Sequence, residues 1–111
     1  MKQLKVTCAI ILFNTKILVV QRSENMNLPL KWEFPGGKIE HGEDEEDCIK
    51  REIKEELNIE IDLIRRLTTS RFDYPHCSIE LMPFVANYVG GEIKLTEHKH
   101  YLLLEWSNWE T

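Results

Sequence analysis

Apolar residues near the start of the chain fall into two short runs that predict a pair of β-strands. The runs cover residues 5–12 and 16–21 and are rich in Val, Ile and Leu, which strands favour. Phe13-Asn14-Thr15 stands between them, and asparagine tolerates the left-handed backbone conformations that tight turns use. The pattern therefore predicts that the fold opens with an antiparallel hairpin.

The middle of the chain predicts a glycine-containing turn followed by one helix. After a polar loop at residues 22–30 and the segment 31–34, the chain is broken by Pro35-Gly36-Gly37, where glycine permits two backbones to approach closely. From residue 44 to 57 the apolar spacing becomes helical, and an acidic first turn suits the positive end of a helix dipole. Asn58 is a suitable residue to end that helix.

Strand-like stretches recur after the helix. They cover residues 59–67, 78–89, 92–95 and 101–106. Gly90-Gly91 predicts a hairpin between the second and third of these stretches. The order of strands, one long helix and further strands indicates an α+β fold.

Length, composition and charge limit the number of domains and the kinds of partner. A chain of 111 residues with 42% hydrophobic residues builds one compact core, so we expect residues 1–111 to form a single domain. The net charge of -5 and pI near 5.4 argue against a nucleic-acid polymer as partner, because such binding needs Lys and Arg to neutralise phosphates. A small phosphorylated substrate would take much of its countercharge from metal cations.

The N-terminal apolar run and the cysteines predict a cytoplasmic protein. The first apolar run is too short and too β-branched for a secretion signal or a membrane span, and we expect no membrane association. Cys8, Cys48 and Cys77 contain no CxxC pair, which indicates reduced thiols rather than disulfides or a zinc site.

One face of the predicted helix is crowded with carboxylates. At about 100° per residue, Glu52, Glu55 and Glu56 fall within roughly 100° of arc. The adjacent apolar stripe consists of Ile49, Ile53 and Leu57. Carboxylates of this density suit Mg²⁺ or Mn²⁺, which prefer hard oxygen ligands. Lys50 and Lys54 leave open a second interpretation, a solvated acidic face balanced by lysines.

The spacing of the charged residues extends beyond the helix and resembles a known motif. The pattern is Gly37, five residues, Glu43, seven residues, Arg51-Glu52-Ile53, one residue, Glu55-Glu56, one residue, Asn58-Ile59. Six fixed residues of average frequency match by chance on the order of 10⁻⁷ times per register. The pattern resembles the Nudix box, GX₅EX₇REUXEEXGU with U an aliphatic residue. The run of residues 31–40 and Glu97-His98 are similar to the MutT and CTP-pyrophosphohydrolase branch of that family.

This resemblance implies a fold and a set of residue roles. The implied fold is an α/β/α sandwich around a mixed sheet with a central catalytic helix. Glu52 would bind metal or activate water, and Glu43 would pair with Arg51 to orient it. The implied ligands of Mg²⁺, for which Mn²⁺ could substitute, are the Gly36 carbonyl, Glu52, Glu55, Glu56 and Glu97. The implied substrate contacts are Arg22, Phe34, Gly37 and Lys38.

The resemblance also implies a reaction, with alternatives that the motif leaves open. The expected reaction is hydrolysis of a nucleoside triphosphate to a nucleoside monophosphate and pyrophosphate. Oxidised dGTP, as in nucleotide-pool sanitation and DNA repair, competes with CTP or dCTP as substrate. ADP-ribose or another nucleoside diphosphate derivative is an alternative, because the box handles only metal and diphosphate. A non-catalytic nucleotide-binding regulatory module is a further alternative, although every carboxylate of the box is present.

Two departures from the family pattern affect these expectations. Asn58 replaces the box glycine, which is tolerable because asparagine enters left-handed conformations readily. The sequence ends at Thr111, where the resembled enzymes continue with a C-terminal helix, so we expect that helix to be missing, either because the sequence is truncated or because the protein is unusually short. An apolar sheet face would then be exposed, and a homodimer becomes a hypothesis beside the monomer. The histidines have no paired metal spacing, and His98 stands out only because it follows Glu97.

Overall fold

The fold is seen in a computed structural model, which describes residues 2–105. Its elements in chain order are β1 (Lys2–Phe13), β2 (Lys16–Gln21), β3 (Trp32–Glu33), β4 (Gly36–Lys38), α1 (Glu45–Leu57), β5 (Glu60–Arg66), β6 (Ser70–Tyr74), β7 (Cys77–Gly90) and β8 (His100–Glu105). Within these residues, no helix is long and apolar enough to cross a membrane.

The strands of residues 2–105 join into one mixed sheet. Its central order is β3-β2-β1-β7-β5, while β4 pairs with β1, β6 with β7 and β8 with β2. β1 and β7 run parallel over eleven register positions, from Lys2 opposite Cys77 to Leu12 opposite Asn87. The remaining pairings are antiparallel. The predicted mixed sheet and α+β class are confirmed.

Helix α1 has the ends that the sequence predicts. The Asp44 carboxylate accepts a hydrogen bond from the Asp47 backbone N–H at 2.8 Å, which satisfies one of the free donors of the first turn. At the other end Asn58 has a φ of 62°, and its backbone N–H donates to the Lys54 carbonyl. The departure from glycine at this position is therefore accommodated in the left-handed conformation.

The core lies between α1 and one face of the sheet. The helix contributes its apolar stripe, and β1, β2, β5 and β7 contribute alternate residues. The fully buried members of this cluster are Ala9, Ile11, Leu18, Val20, Ile49, Ile53, Leu57 and Ala86. Packing of the stripe leaves the neighbouring carboxylate face of α1 turned toward the β4 turn. In residues 2–105 α1 is the only helix. The prediction that a C-terminal helix is missing concerns the chain from residue 106 onward, which lies outside the described residues.

The opening hairpin and the final strand agree with the prediction. β1 and β2 pair at Leu12 opposite Ile17, and Asn14 in the turn has a φ of 59°. The stretch predicted at residues 101–106 is a strand from His100 to Glu105 that pairs with β2, and Trp106 lies outside the described residues. The cysteines Cys8, Cys48 and Cys77 are free thiols.

The predicted strand at residues 92–95 and its hairpin are wrong. The backbone N–H of Lys94 donates to the Leu57 carbonyl at 2.9 Å, and that of Thr96 donates to the Glu56 carbonyl at 3.3 Å. The segment thus runs along the carboxyl end of α1, where its donors satisfy carbonyls that the helix leaves free. The hairpin partner of β7 is instead β6, which the sequence analysis did not identify.

Candidate active site

The turn at Pro35, Gly36 and Gly37 approaches both the sheet and the helix closely. Gly36 pairs with β1, and a Cβ atom there would lie 2.0 Å from the Thr7 carbonyl oxygen. A Cβ atom on Gly37 would lie 2.3 Å from the carboxyl carbon of Glu52. Glycine is required at the first position by the β1 backbone, and at the second it leaves room for a carboxylate of α1.

Arg51 binds the carboxylates around it. Its Nε and Nη2 donate to Glu43 at 2.6 and 3.0 Å, and its Nη1 donates to Glu52 at 2.8 Å and to Glu55 at 3.2 Å. The hydrogen bond from Arg51 lowers the pKa of Glu43 to about 2. The structure thus brings together the predicted trio Glu43, Arg51 and Glu52, in an arrangement that fixes the Glu52 carboxylate beside the glycine turn.

Glu52 and Glu56 are the partly buried carboxylates of this face. Burial raises the pKa of Glu52 above its ordinary value. Burial also raises the pKa of Glu56 from 4.5 to about 8, despite a hydrogen bond from the Gly36 backbone N–H. One Glu56 oxygen, Oε1, is buried and has no hydrogen-bond partner in the described part of the chain. A buried carboxylate oxygen without a donor is costly, which marks this position as one suited to a cation.

The carboxylates among the predicted metal ligands are not preassembled around one ion. Among residues 2–105, no group of three or more His, Cys, Asp or Glu side chains is arranged to hold a metal ion. Glu55 is 59% exposed and bound to Arg51. Glu97 is exposed, yet its charge contributes to the raised pKa of Glu56. Repulsion among carboxylates and their attraction to Arg51 account for this spread, and the metal ligand set remains a prediction.

A cavity of about 500 Å³ opens beside the glycine turn. The four predicted substrate residues line it together with Gly36; they are Arg22, Phe34, Gly37 and Lys38. Val6, Cys8 and Leu81 form an apolar wall on the sheet face opposite α1. The cavity therefore combines two cationic side chains with an aromatic ring and an apolar floor.

A second cavity of about 470 Å³ adjoins the first. Both are lined by Glu33 and Phe34, and the second is completed by Val19, Trp32, Leu102 and Leu104. Trp32 is 44% exposed and Leu102 is 48% exposed, so Trp32 is not a core residue. This exposed apolar surface is compatible with the homodimer hypothesis, and the oligomeric state stays a prediction.

Sequence reasoning missed the role of Glu33 and the burial of His98. The Nε2 of His98 lies 3.1 Å from Glu33 Oε2, and Arg22 Nη1 donates to Glu33 Oε1 at 3.1 Å. Burial raises the pKa of Glu33, but hydrogen bonds from His98 and Arg22 outweigh it, and the pKa lies below its ordinary value. The hydrogen bond to Glu33 raises the pKa of His98. The available signal was a lone carboxylate between two aromatic residues, Trp32 and Phe34.

Comparison with known proteins gives consistent matches. A family model described as the NUDIX domain matches residues 2–110. The 8-oxo-dGTP diphosphatase of Proteus vulgaris is 34% identical over 86 residues, covering 78% of this chain and 75% of that protein. The CTP pyrophosphohydrolase of Escherichia coli K12 is 43% identical over 60 residues, covering 54% of this chain and 44% of that protein. The MutT protein structure from Methanosarcina mazei Go1 superimposes with a TM-score of 0.85 at 25% identity, covering 96% of this chain and 80% of that one.

Proposed function

Because the chain belongs to the NUDIX family, we propose that it hydrolyses a nucleoside triphosphate to the nucleoside monophosphate and pyrophosphate, with Mg²⁺ as its metal ion. Nudix hydrolases generally use divalent metals, and Mn²⁺ would substitute here. The observation that carries the proposal is the position of Glu52 and Glu56, which lie against the same glycine turn that lines the cavity with Arg22 and Lys38.

The residues at the turn fit a divalent cation. Their donors are carboxylate and carbonyl oxygens, which Mg²⁺ prefers, and a cation would compensate the buried, unpartnered Oε1 of Glu56. Glu52 and Glu56 would hold the ion together with the Gly36 carbonyl, and Glu55 and Glu97 would turn inward from their exposed positions. Once bound, the ion would neutralise charge that develops on the phosphate oxygens.

The chain's own residues supply binding and proton transfer. Arg22 and Lys38 would offset the charge of the polyphosphate, and Phe34 would stack on the base. Arg51 holds Glu52, whose raised pKa suits a proton acceptor. The oxygen of one water forms a bond to phosphorus, its proton passes to Glu52, and the bridging P–O bond breaks with its oxygen leaving on the second product.

Two substrate classes within the triphosphates follow from the relatives. Similarity to the proteins named 8-oxo-dGTP diphosphatase and CTP pyrophosphohydrolase supports oxidised dGTP and CTP or dCTP as candidate substrates of this chain. Hydrolysis of oxidised dGTP would make this chain a sanitiser of the nucleotide pool, with a role in DNA repair. The second cavity favours one alternative, a nucleoside diphosphate derivative such as ADP-ribose, because it offers space next to the first cavity for another group.

A product-resolved screen tests the proposal. The purified chain is incubated with CTP, dCTP, dGTP, 8-oxo-dGTP or ADP-ribose and with Mg²⁺ or Mn²⁺, and pyrophosphate and orthophosphate are measured separately. We expect pyrophosphate and monophosphate from a preferred triphosphate, and no turnover in EDTA or with the Glu52→Gln variant. Orthophosphate as the product, or turnover that survives EDTA, contradicts the proposal. AMP and ribose 5-phosphate from ADP-ribose alone would support the alternative.

A further inference from the structure

His98 is buried next to the cavity and holds a carboxylate. Its side chain is 1% exposed, and its Nε2 is 3.1 Å from Glu33 Oε2. A carboxylate accepts hydrogen bonds, so Nε2 carries the hydrogen and donates it. The backbone N–H of Lys99 donates to the Gln21 carbonyl at 2.9 Å, which fixes the His98 segment beside the end of β2.

Glu33 in turn holds Arg22. Arg22 Nη1 donates to both oxygens of Glu33, at 3.1 and 3.3 Å, and its Nε donates to the Asn27 carbonyl. Arg22 and Glu33 both line the 500 Å³ cavity, whereas His98 does not. The hydrogen bonds therefore converge on Glu33, whose carboxylate accepts from the buried imidazole of His98 and from the Arg22 guanidinium at the cavity wall.

We infer that His98 is a positioning residue: it fixes the Glu33 carboxylate, and Glu33 fixes the Arg22 guanidinium against the cavity that takes the substrate phosphates. The inference rests on the proposed function, since it assigns Arg22 a phosphate to meet. A charged hydrogen bond within a partly buried pair restricts the guanidinium far more than solvent would. A displacement of about 1 Å at a binding group is enough to reduce its contribution about 10- to 100-fold.

An exposed ion pair offers a matched control. Glu24 and Lys99 join the segment that carries Arg22 to the segment that carries His98, with side chains 62% and 41% exposed. If loose tethering of those segments were sufficient, Glu24→Gln would weaken substrate binding as much as loss of the buried hydrogen bond. We expect Glu24→Gln to bind substrate like the wild type, because exposed pairs contribute little.

The test compares two amides at one position. In His98→Gln the side-chain amide nitrogen takes the place of Nε2, whereas in His98→Asn it is one methylene too short to reach Glu33. Binding of an α,β-methylene nucleoside triphosphate is measured by calorimetry with Mg²⁺, together with KM and kcat for the substrate. We expect His98→Asn to weaken analogue binding about 10-fold and to raise KM similarly while kcat changes less, and His98→Gln to stay within about 2-fold.

A double-mutant cycle gives the second readout. In an Arg22→Ala background, His98→Asn should have no further effect on the dissociation constant, because the residue it positions is gone. If His98→Asn does not fold, Glu33→Ala serves in the same cycle. Equal binding by the Asn variant and the wild type, or full additivity in the cycle, overturns the inference while wild-type turnover upholds the proposed function. Absence of triphosphate turnover in the wild type overturns the proposed function itself.

Discussion

Replacing Gly37 by alanine places a methyl group against the Glu52 carboxylate. The added Cβ would lie 2.3 Å from the carboxyl carbon and 2.4 Å from Oε2, whereas ordinary contacts begin at 3.4 Å. The backbone at Gly37 does not have a positive φ, so alanine adopts its conformation without strain. The side chain of Glu52 can move, and the contact is relieved by a shift of about 1 Å in its carboxylate.

The expected consequence is a folded protein with a displaced carboxylate. A shift of this size in a group that acts on the substrate lowers turnover about 100-fold. Steady-state kinetics and thermal unfolding are measured on the same preparation of Gly37→Ala. The unfolding temperature should stay within a few degrees of the wild type, corresponding to about 1 kcal/mol or less.

Gly36→Ala is the contrasting variant. Its Cβ would lie 2.0 Å from the Thr7 carbonyl oxygen and 2.6 Å from the Cys8 Cα, both backbone atoms of β1. Backbone atoms of a paired strand cannot shift without a large energetic cost, so this variant should lose at least about 1–3 kcal/mol of stability or fail to fold. Near-normal turnover in Gly37→Ala, or a large stability loss there with little in Gly36→Ala, would refute the reasoning about the turn.

Three further substitutions test other parts of the account. Glu56→Gln should lower kcat at least about 100-fold in steady-state assays, and near-normal rates would remove Glu56 from the site. Burial raises the folded pKa of Glu56 from 4.5 to about 8, so its contribution to stability is present below pH 4.5 and is lost as pH rises to about 8. Urea unfolding should therefore show the unfolding free energy of Glu56→Gln rising relative to that of the wild type across this range. A difference in unfolding free energy that does not change with pH would contradict this. Arg51→Lys keeps the charge but loses the fork that binds Glu43 and Glu52, so kcat should fall about 10-fold or more, and unchanged kinetics would argue against orientation by Arg51. Ile53→Ala should cost about 2–5 kcal/mol in chemical denaturation because Ile53, on the apolar stripe of α1, is fully buried in the core, and a cost below about 1 kcal/mol would contradict that packing.

The parts of the fold that sequence predicts are those determined by neighbouring residues. Asp44 and Asn58 delimit α1 because capping depends on side chains within one turn. Asn14 marks the first hairpin for the same local reason. The segment at residues 92–95 was predicted wrongly because its backbone donors bind the carbonyls of α1, more than thirty residues earlier in the chain. Local β-propensity contains no information about such a partner.

The same distinction between local and distant partners applies to the candidate site. Glu43 and Arg51 are only eight residues apart, and the family motif that their spacing resembles predicts their contact. His98 and Glu33 are separated by 65 residues, and only the pairing of β2 with β3 and of β2 with β8 brings them together. Nothing local to His98 indicates that it is buried, since its neighbours Glu97 and Lys99 are exposed.

The measurement that tests the central claim most directly is a crystal structure with Mn²⁺ and an α,β-methylene nucleoside triphosphate. The account predicts anomalous density about 2.2 Å from carboxylate oxygens of Glu52 and Glu56 and in contact with the bound phosphates. It also predicts that Arg22 contacts the phosphate chain. A nucleotide seated in the cavity with no ion near either glutamate, or an ion bound elsewhere on the chain, would contradict it.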